Sequence, residues 1–596
     1  MLGSSRDTID LHGCVIAISG SQASIRLEAS PSQASRVTVG NFLAIQGTNS
    51  SVVAVVTEVA GAEGGRQLTA RVDLLGELRT GVSGPPRFYR GIARYPMVGD
   101  KVALLGSEAL RLVYDTSGAD TVTIGHLQQD NSIPASIKVE DMLGKHFALL
   151  GSTGVGKSSG VVVLLRQVLD VRPNLRIFLI DPHNEYACSF RDKAHVLNPK
   201  NLRLPFWLFN FEETVDVFFR GRPGLEDEVE ILGQLIPLAK SMFASTRNGE
   251  AHGLRKVDAS TSGFTVDTPV PYRLSDLVNL IDERMGKLEN RSSTSRYHRL
   301  VTRIETVRKD PRYAFMFDNA NVGGDTMADV LTQLFRLSPD GKPMTVMQLA
   351  GFPAEVVDSV VSVLGRMAFD FGLWSDAAVP LLFVCEEAHR YAPGDRSTGF
   401  GPTRKAISRI AKEGRKYSVF LGMVTQRPAE LDATIISQCN TLFAMRMANE
   451  RDQNIIRAAV SDAAAGLLAF LPSLGTREVF AFGEGVALPT RLQFSELAKD
   501  LIPRSEAVSS TAIDGSAGVD IAFIEAVIER WRGATMGSKR KPADAMHEVE
   551  KAGAGAIGGT LDHERSMLAA AFAPGRDPPP SPAKAGQDLR TRLLRK

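Results

Sequence analysis

A chain of 596 residues exceeds what one ordinary hydrophobic core can hold, so three or four domains are expected. Its 69 Lys and Arg stand against 67 Asp and Glu, and 43% of its residues are hydrophobic; that is the balance of a globular protein, with no large basic surface in the totals but room for a basic channel within the sum. Cys14, Cys188, Cys385 and Cys439 are isolated, which suggests neither a zinc site nor a disulfide framework and fits a reducing, cytoplasmic setting. Residues 1–7 lack the apolar core of a signal peptide, and no run of about 18 apolar residues occurs, so no membrane span is expected.

Residues 1–128 have β character from about residue 10. Short apolar runs at 14–18, 23–27, 52–56, 68–72 and 121–124 are separated by Gly and Ser, a texture that predicts a small closed barrel. The stretch 81–96, with three prolines, interrupts it. From about residue 129 to 503 the texture becomes α/β. Strands are expected at 146–150, 176–181, 345–349, 379–385, 419–424 and 441–446, with helical patterns between most of them. Repeated β–α–β units predict a mainly parallel, doubly covered sheet. Residues 209 to about 315 read as a helical insertion, with a polar, mobile loop at 247–267. Residues 478–482 and 491–494 are expected to form a hairpin that closes the sheet. Residues 504–596 form a C-terminal extension: one amphipathic helix at 518–532, then a disordered Ala-, Gly- and Pro-rich tail with a basic end at 590–596.

The stretch Gly151-Ser152-Thr153-Gly154-Val155-Gly156-Lys157-Ser158-Ser159 holds the phosphate-loop pattern G-x-x-x-x-G-K-[ST]. Its glycines let successive N–H groups turn inward on an anion, and the following helix presents its positive end to the same charge. An apolar strand precedes it, and a helix rich in Val and Leu follows. In this pattern Lys157 reaches the β- and γ-phosphates of ATP, and the Ser158 hydroxyl coordinates Mg2+.

Such a loop needs an acidic strand end to hold the metal and activate water. The apolar run 380–385 ends in Glu386-Glu387-Ala388-His389, and unpaired carboxylates at a buried strand end are too costly to be packing. Glu386 is assigned to Mg2+, through water, and Glu387 to the attacking water. Gln426 follows the next apolar strand and is placed to sense the γ-phosphate or position that water. Arg415, at the end of the basic helix that leads into this strand, is the first candidate for an arginine supplied to a neighbouring subunit's nucleotide. Arg409, Arg427, Arg446 and Arg451 are its rivals. His183 and His389 are expected to be structural.

Together these pieces resemble the HerA family of hexameric DNA translocases, within the larger HerA/FtsK group. Lys145 to Ser159, Asp181-Pro182-His183-Asn184-Glu185-Tyr186, Glu386-Glu387-Ala388-His389, Thr425-Gln426-Arg427-Pro428 and Ser437-Gln438-Cys439-Asn440-Thr441 follow in the family's order, across residues 10 to about 500. The resemblance implies a RecA-like core behind a small barrel like that of rotary ATP synthase subunits. It implies a homohexameric ring that moves double-stranded DNA through a central channel at the expense of ATP. It also implies a partner, a NurA-like nuclease or another effector enzyme of anti-phage systems, docked near the barrels. Lys145 stands where the family has a basic residue contacting nucleotide, and the 483–487 turn is placed near the adenine. The stretches 245–256 and 390–405 are candidate DNA-facing loops. Two other readings share the core: a type IV secretion-like ATPase moving protein or single-stranded DNA, and a ring scaffold that binds ATP only to assemble. The barrel and the lack of a membrane segment count against the first, and the presence of both Glu387 and Gln426 against the second.

Overall fold

The computed structural model describes residues 11–504, except 28–36, 48–49, 62–67, 80–85, 116–117, 119, 220–225, 248–262, 288–290, 319–323, 339, 353, 396 and 461–465, together with Ile528. Most of the 247–267 loop, the remainder of the 518–532 helix and the tail lie outside the described residues.

Seven antiparallel strands come first: β1 (Leu11–Ser19), β2 (Gln22–Leu27), β3 (Phe42–Gln46), β4 (Ser50–Gly61), β5 (Leu68–Arg79), β6 (Arg87–Arg90) and β7 (Lys101–Leu104). They run in the order β2-β1-β7-β3-β4-β5-β6, and β2 also pairs with β5. That last ladder closes six of them into the expected barrel and leaves β6 outside, hanging on β5. Strand β4 is buried on both faces over Val52–Val56. Val52, Ala54 and Val56 fill the barrel, whereas Val53 and Val55 point the other way, into the core of the following domain. The period-two geometry of a strand makes this division automatic.

The second sheet has eleven strands: β8 (Thr121–Leu127), β9 (Pro134–Lys138), β10 (Phe147–Leu150), β11 (Arg176–Asp181), β12 (Ala194–Leu197), β13 (Met344–Gln348), β14 (Leu381–Cys385), β15 (Val419–Thr425), β16 (Thr441–Met445), β17 (Glu478–Gly483) and β18 (Thr490–Phe494). Their order is β12-β13-β11-β14-β15-β10-β16-β17-β18-β8-β9. The stretch from β12 to β16 is parallel throughout, and β17, β18, β8 and β9 continue it antiparallel. β10, β14 and β16 are buried at every position, as expected for parallel strands covered on both faces. The helical insertion is borne out by helices Phe211–Phe219, Glu226–Arg247, Leu274–Gly286 and Arg291–Lys309. Among the described residues no helix is long and apolar enough to cross a membrane.

Two expectations need correction. The run at 121–124 does not belong to the barrel: it lies in β8, which pairs with β18 at the far side of the second sheet. The barrel therefore ends with β7, and the boundary near residue 128 lies too far along the chain. The β17–β18 hairpin forms, but it does not close the sheet, because β8 and β9 extend it.

Candidate functional site

The phosphate loop joins β10 to helix Lys157–Val171. Gly154 (φ 76°) and Gly156 (φ 98°) adopt the left-handed conformation that side chains disfavour. Gly151 lies against β16, where a Cβ would stand 2.7 Å from that of Met445, and Ser152 N–H donates to the Arg446 carbonyl at 2.9 Å. The loop is thus pinned before any phosphate arrives. Lys157 is buried, and its Nζ donates to the Ser152 carbonyl at 2.9 Å. Burial lowers its pKa, against the pull of Glu386, Glu387 and Glu185.

The acidic strand end lies beside this loop because β14 and β10 flank β15. Glu386 is buried, and burial pushes its carboxyl up to about 8. Its Oε2 accepts from the Tyr186 hydroxyl at 2.7 Å. Glu387 takes a left-handed conformation, φ 52°. Its Oε1 lies 3.7 Å from His183 Nε2 and its Oε2 3.3 Å from His389 Nδ1, yet Oε2 is buried without a hydrogen bond. His389 Nδ1 also stands 2.9 Å from the Thr425 hydroxyl. Both histidines, expected to be structural, therefore flank the proposed water-activating carboxylate. At the end of β15, Gln426 Oε1 accepts a hydrogen bond from the Thr153 hydroxyl in the phosphate loop.

Three residues that were given no individual role belong to this constellation. Asp181, at the end of β11, accepts from the N–H groups of Glu185 at 3.1 Å and Tyr186 at 3.0 Å. That turn sets Glu185 to accept from Ser158 Oγ at 3.2 Å and Tyr186 to meet Glu386. Burial pushes the Asp181 carboxyl up to about 6. The signal was the acidic and aromatic string after the second parallel strand, read there only as a family likeness.

Lys145 and Arg415 are not brought to the phosphate loop. Lys145 precedes β10 and Arg415 precedes β15, so both sit where the parallel strands begin, whereas the loop and Gln426 sit where they end. Seven residues of β15 separate the two edges, about 20 Å at 3.3 Å per residue. On this second edge Lys145 Nζ pairs with Glu484 Oε1 at 2.8 Å. Lys145, Arg415, Arg172 and Glu484 line one cleft of ≈ 650 Å³. Arg415 is exposed, and its side chain makes no ion pair or hydrogen bond with a described residue. Its rivals are engaged or lie elsewhere. Arg409 pairs with Asp370 at 3.2 Å and covers the Phe369 ring, Arg427 pairs with Glu430, and Arg446 and Arg451 follow β16 near the loop. His146 braces the edge from beneath. Its Nδ1 accepts from Leu421 N–H at 2.9 Å, and its Nε2 donates to the Ala411 carbonyl at 3.0 Å. Burial pulls its pKa down to about 4.

Among the described residues no group of three or more His, Cys, Asp or Glu is placed to cage a metal. The Ser158 hydroxyl and the Glu386 carboxylate suit a Mg2+ that keeps most of its ligands as phosphate oxygens and water. The orphaned Glu387 Oε2 suits a water that approaches with the nucleotide.

An arrangement that grips phosphates at one strand end and poises carboxylates at the next is that of a P-loop ATPase, and this chain is one. Residues 122–368 match the family model described as helicase HerA, central domain. A probable helicase of Methanocaldococcus jannaschii is 25% identical over 406 residues, covering 66% of this chain and 70% of the relative. The DNA double-strand break repair helicase HerA of Pyrococcus furiosus is 25% identical over 436 residues, 67% of this chain and 74% of that one. VirB4 of Thermoanaerobacter pseudethanolicus, a solved structure, covers 65% of this chain and 99% of its own, at 16% identity and a TM-score of 0.42. The chain is thus a P-loop ATPase whose central part is similar to HerA helicases.

Proposed function

We propose that this protein is an ATP-driven double-stranded DNA translocase that works as a ring of six identical subunits with a nuclease or another effector enzyme. The observation that carries the ring is the separation of Lys157 from Arg415 across the length of β15. A single subunit cannot bring them together, so Arg415, with Lys145 beside it, serves the nucleotide of the next subunit. The cargo rests on the relatives, two of which are named as helicases and one as acting in DNA double-strand break repair. Contacts to DNA phosphates would be independent of sequence and sensitive to salt.

Within the shared site Lys157 and the loop N–H groups bind the β- and γ-phosphates of ATP. Ser158 and Glu386 would hold Mg2+, which supplies charge neutralisation at those oxygens. Glu387, steadied by His183 and His389, orients the attacking water. Gln426 reports the γ-phosphate to β15, and Arg415 of the neighbour stabilises the charge that develops on transfer.

Two measurements test the reading. ATP hydrolysis should rise with double-stranded DNA and fall at least about 100-fold in Glu387→Gln, the usual scale for losing a positioned base; brisk turnover by that variant sinks the assignment. Lys157→Ala and Arg415→Ala should each be inactive alone and partly active when mixed, because mixed rings contain interfaces with both halves intact. No recovery on mixing would overturn the assignment of Arg415 to the neighbouring subunit's site.

A further inference from the structure

We propose that Arg90 is a positioning residue that couples the N-terminal barrel to the second edge of the ATPase sheet, acting through Glu484. The proposal rests on the reading above, in which Lys145 faces a neighbour's nucleotide. Arg90 ends β6, the strand left outside the closed barrel. Its guanidinium reaches the turn between β17 and β18. There Nη2 donates to the Gly483 and Val486 carbonyls at 2.6 Å each, and Nε donates to the Ala487 carbonyl at 2.9 Å. Three carbonyls converging on one planar fork fix the shape of a turn in a way that a lysine cannot reproduce.

The other side of this turn is tied to the ATPase sheet. Glu484 N–H donates to the Asn440 carbonyl at 3.2 Å, and Lys138 N–H donates to the Gly485 carbonyl at 2.9 Å. Gly485 N–H donates to the Thr441 hydroxyl at 3.1 Å. Gly483, at φ 106°, lies so close to Asn440 that a Cβ would stand 1.6 Å from its carbonyl oxygen. Glu484 leaves this rigid turn to pair with Lys145 at 2.8 Å, both side chains remaining partly exposed. A carboxylate held in place by a residue of the strand appended to the barrel thus occupies the ammonium that the proposed function assigns to a neighbour's nucleotide. Glu484 and a nucleotide compete for one cation, and Arg90 sets how well Glu484 competes. A partner that strains β6 would then change nucleotide affinity without touching the phosphate loop.

The test is a double-mutant cycle on the full-length chain with double-stranded DNA, read as the KM for ATP and as the melting temperature. Glu484→Gln should lower KM two- to five-fold, the scale of a partly exposed ion pair. Arg90→Ala should lower KM by the same factor when Glu484 is present and leave it unchanged in the Glu484→Gln background. Arg90→Lys, which keeps the charge but not the fork, should follow Arg90→Ala. A purely structural Arg90 would lower the melting temperature and shift KM equally in both backgrounds, or not at all; either result overturns the coupling. Lys145→Ala separates the two ideas. If it leaves KM unchanged, Lys145 does not face nucleotide, and the underlying reading falls together with the coupling. If it raises KM while the other two substitutions act additively, only the role of Arg90 falls.

Discussion

Tyr186 donates its hydroxyl to Glu386 Oε2 at 2.7 Å across two strand ends 200 residues apart in the chain. It is a tyrosine buried beside a buried carboxylate, and its hydroxyl is also within hydrogen-bond reach of Ser158. Tyr186→Phe removes the bond and little volume. Glu386 then becomes harder to ionise, so the Mg2+ concentration for half-maximal ATP hydrolysis should rise about ten-fold, equivalent to about 1.4 kcal/mol for a hydrogen bond to a charged group. A magnesium titration of ATPase activity checks it. An unchanged midpoint would show that the tyrosine only packs.

Glu386 also predicts how the nucleotide-free protein responds to pH. Its carboxyl titrates near 8 in the folded chain and near 4.5 in the unfolded one. Between those values the native state holds a proton that the unfolded state has released, so stability falls as pH rises through that window. Asp181, raised to about 6, acts with the same sign below that value. Denaturant melts from pH 5 to 8 should show the decline. Glu386→Gln should flatten it, and Mg2+ with ATP should offset it by favouring the ionised carboxylate.

His146 acts in the opposite sense. Its imidazole titrates near 4 when folded and near 6.5 when free, so between these values the unfolded chain takes up a proton that the native ring refuses. Its contribution is complete above about pH 6.5 and is lost as pH falls toward 4, a change on the order of 3 kcal/mol. His146→Gln, which can still accept and donate, should lose the part of acid sensitivity between pH 6.5 and 4 that wild type shows. Parallel acid slopes in the two proteins would contradict the assignment.

Lys240 offers a test away from the nucleotide. It is buried, and its ammonium donates to the carbonyls of Val266 at 2.6 Å and Thr268 at 2.7 Å. Lys240→Met keeps the stem but removes the ammonium from both carbonyls, leaving the Thr268 carbonyl with only the Val270 N–H. A loss of about 2–4 kcal/mol in denaturant melts is expected, with ATP binding at the phosphate loop unchanged.

The nucleotide-binding half of the site was legible because it is written in contiguous residues. Residues 151–158 must be a loop that cradles an anion, and Glu386 and Glu387 must end a buried strand, whatever the rest of the chain does. The contacts that complete it are tertiary. Nothing in the strings themselves joins Ser158 to Glu185 or Glu387 to His389. The strand β8 was misplaced for a related reason: alternation of apolar and polar residues in 121–124 reports that one face is buried, not which sheet buries it. The opposed positions of Lys145 and Ser158 were not read from the sequence, although chain direction implies them, since one precedes and the other follows the same short strand. The contact of Glu484 with Lys145 did not, because β17 and β18 join the sheet from 339 residues away.

Strand β4 gives Val52 and Val56 to the barrel and Val53 and Val55 to the ATPase core. A wall held in common has no outside. The barrel is consequently not an accessory that could be trimmed from the motor. Excising it would bare a stripe of valines on both pieces, and the two should melt in a single transition. Mechanical load applied to the barrel should pass through this shared strand to the sheet that carries the nucleotide.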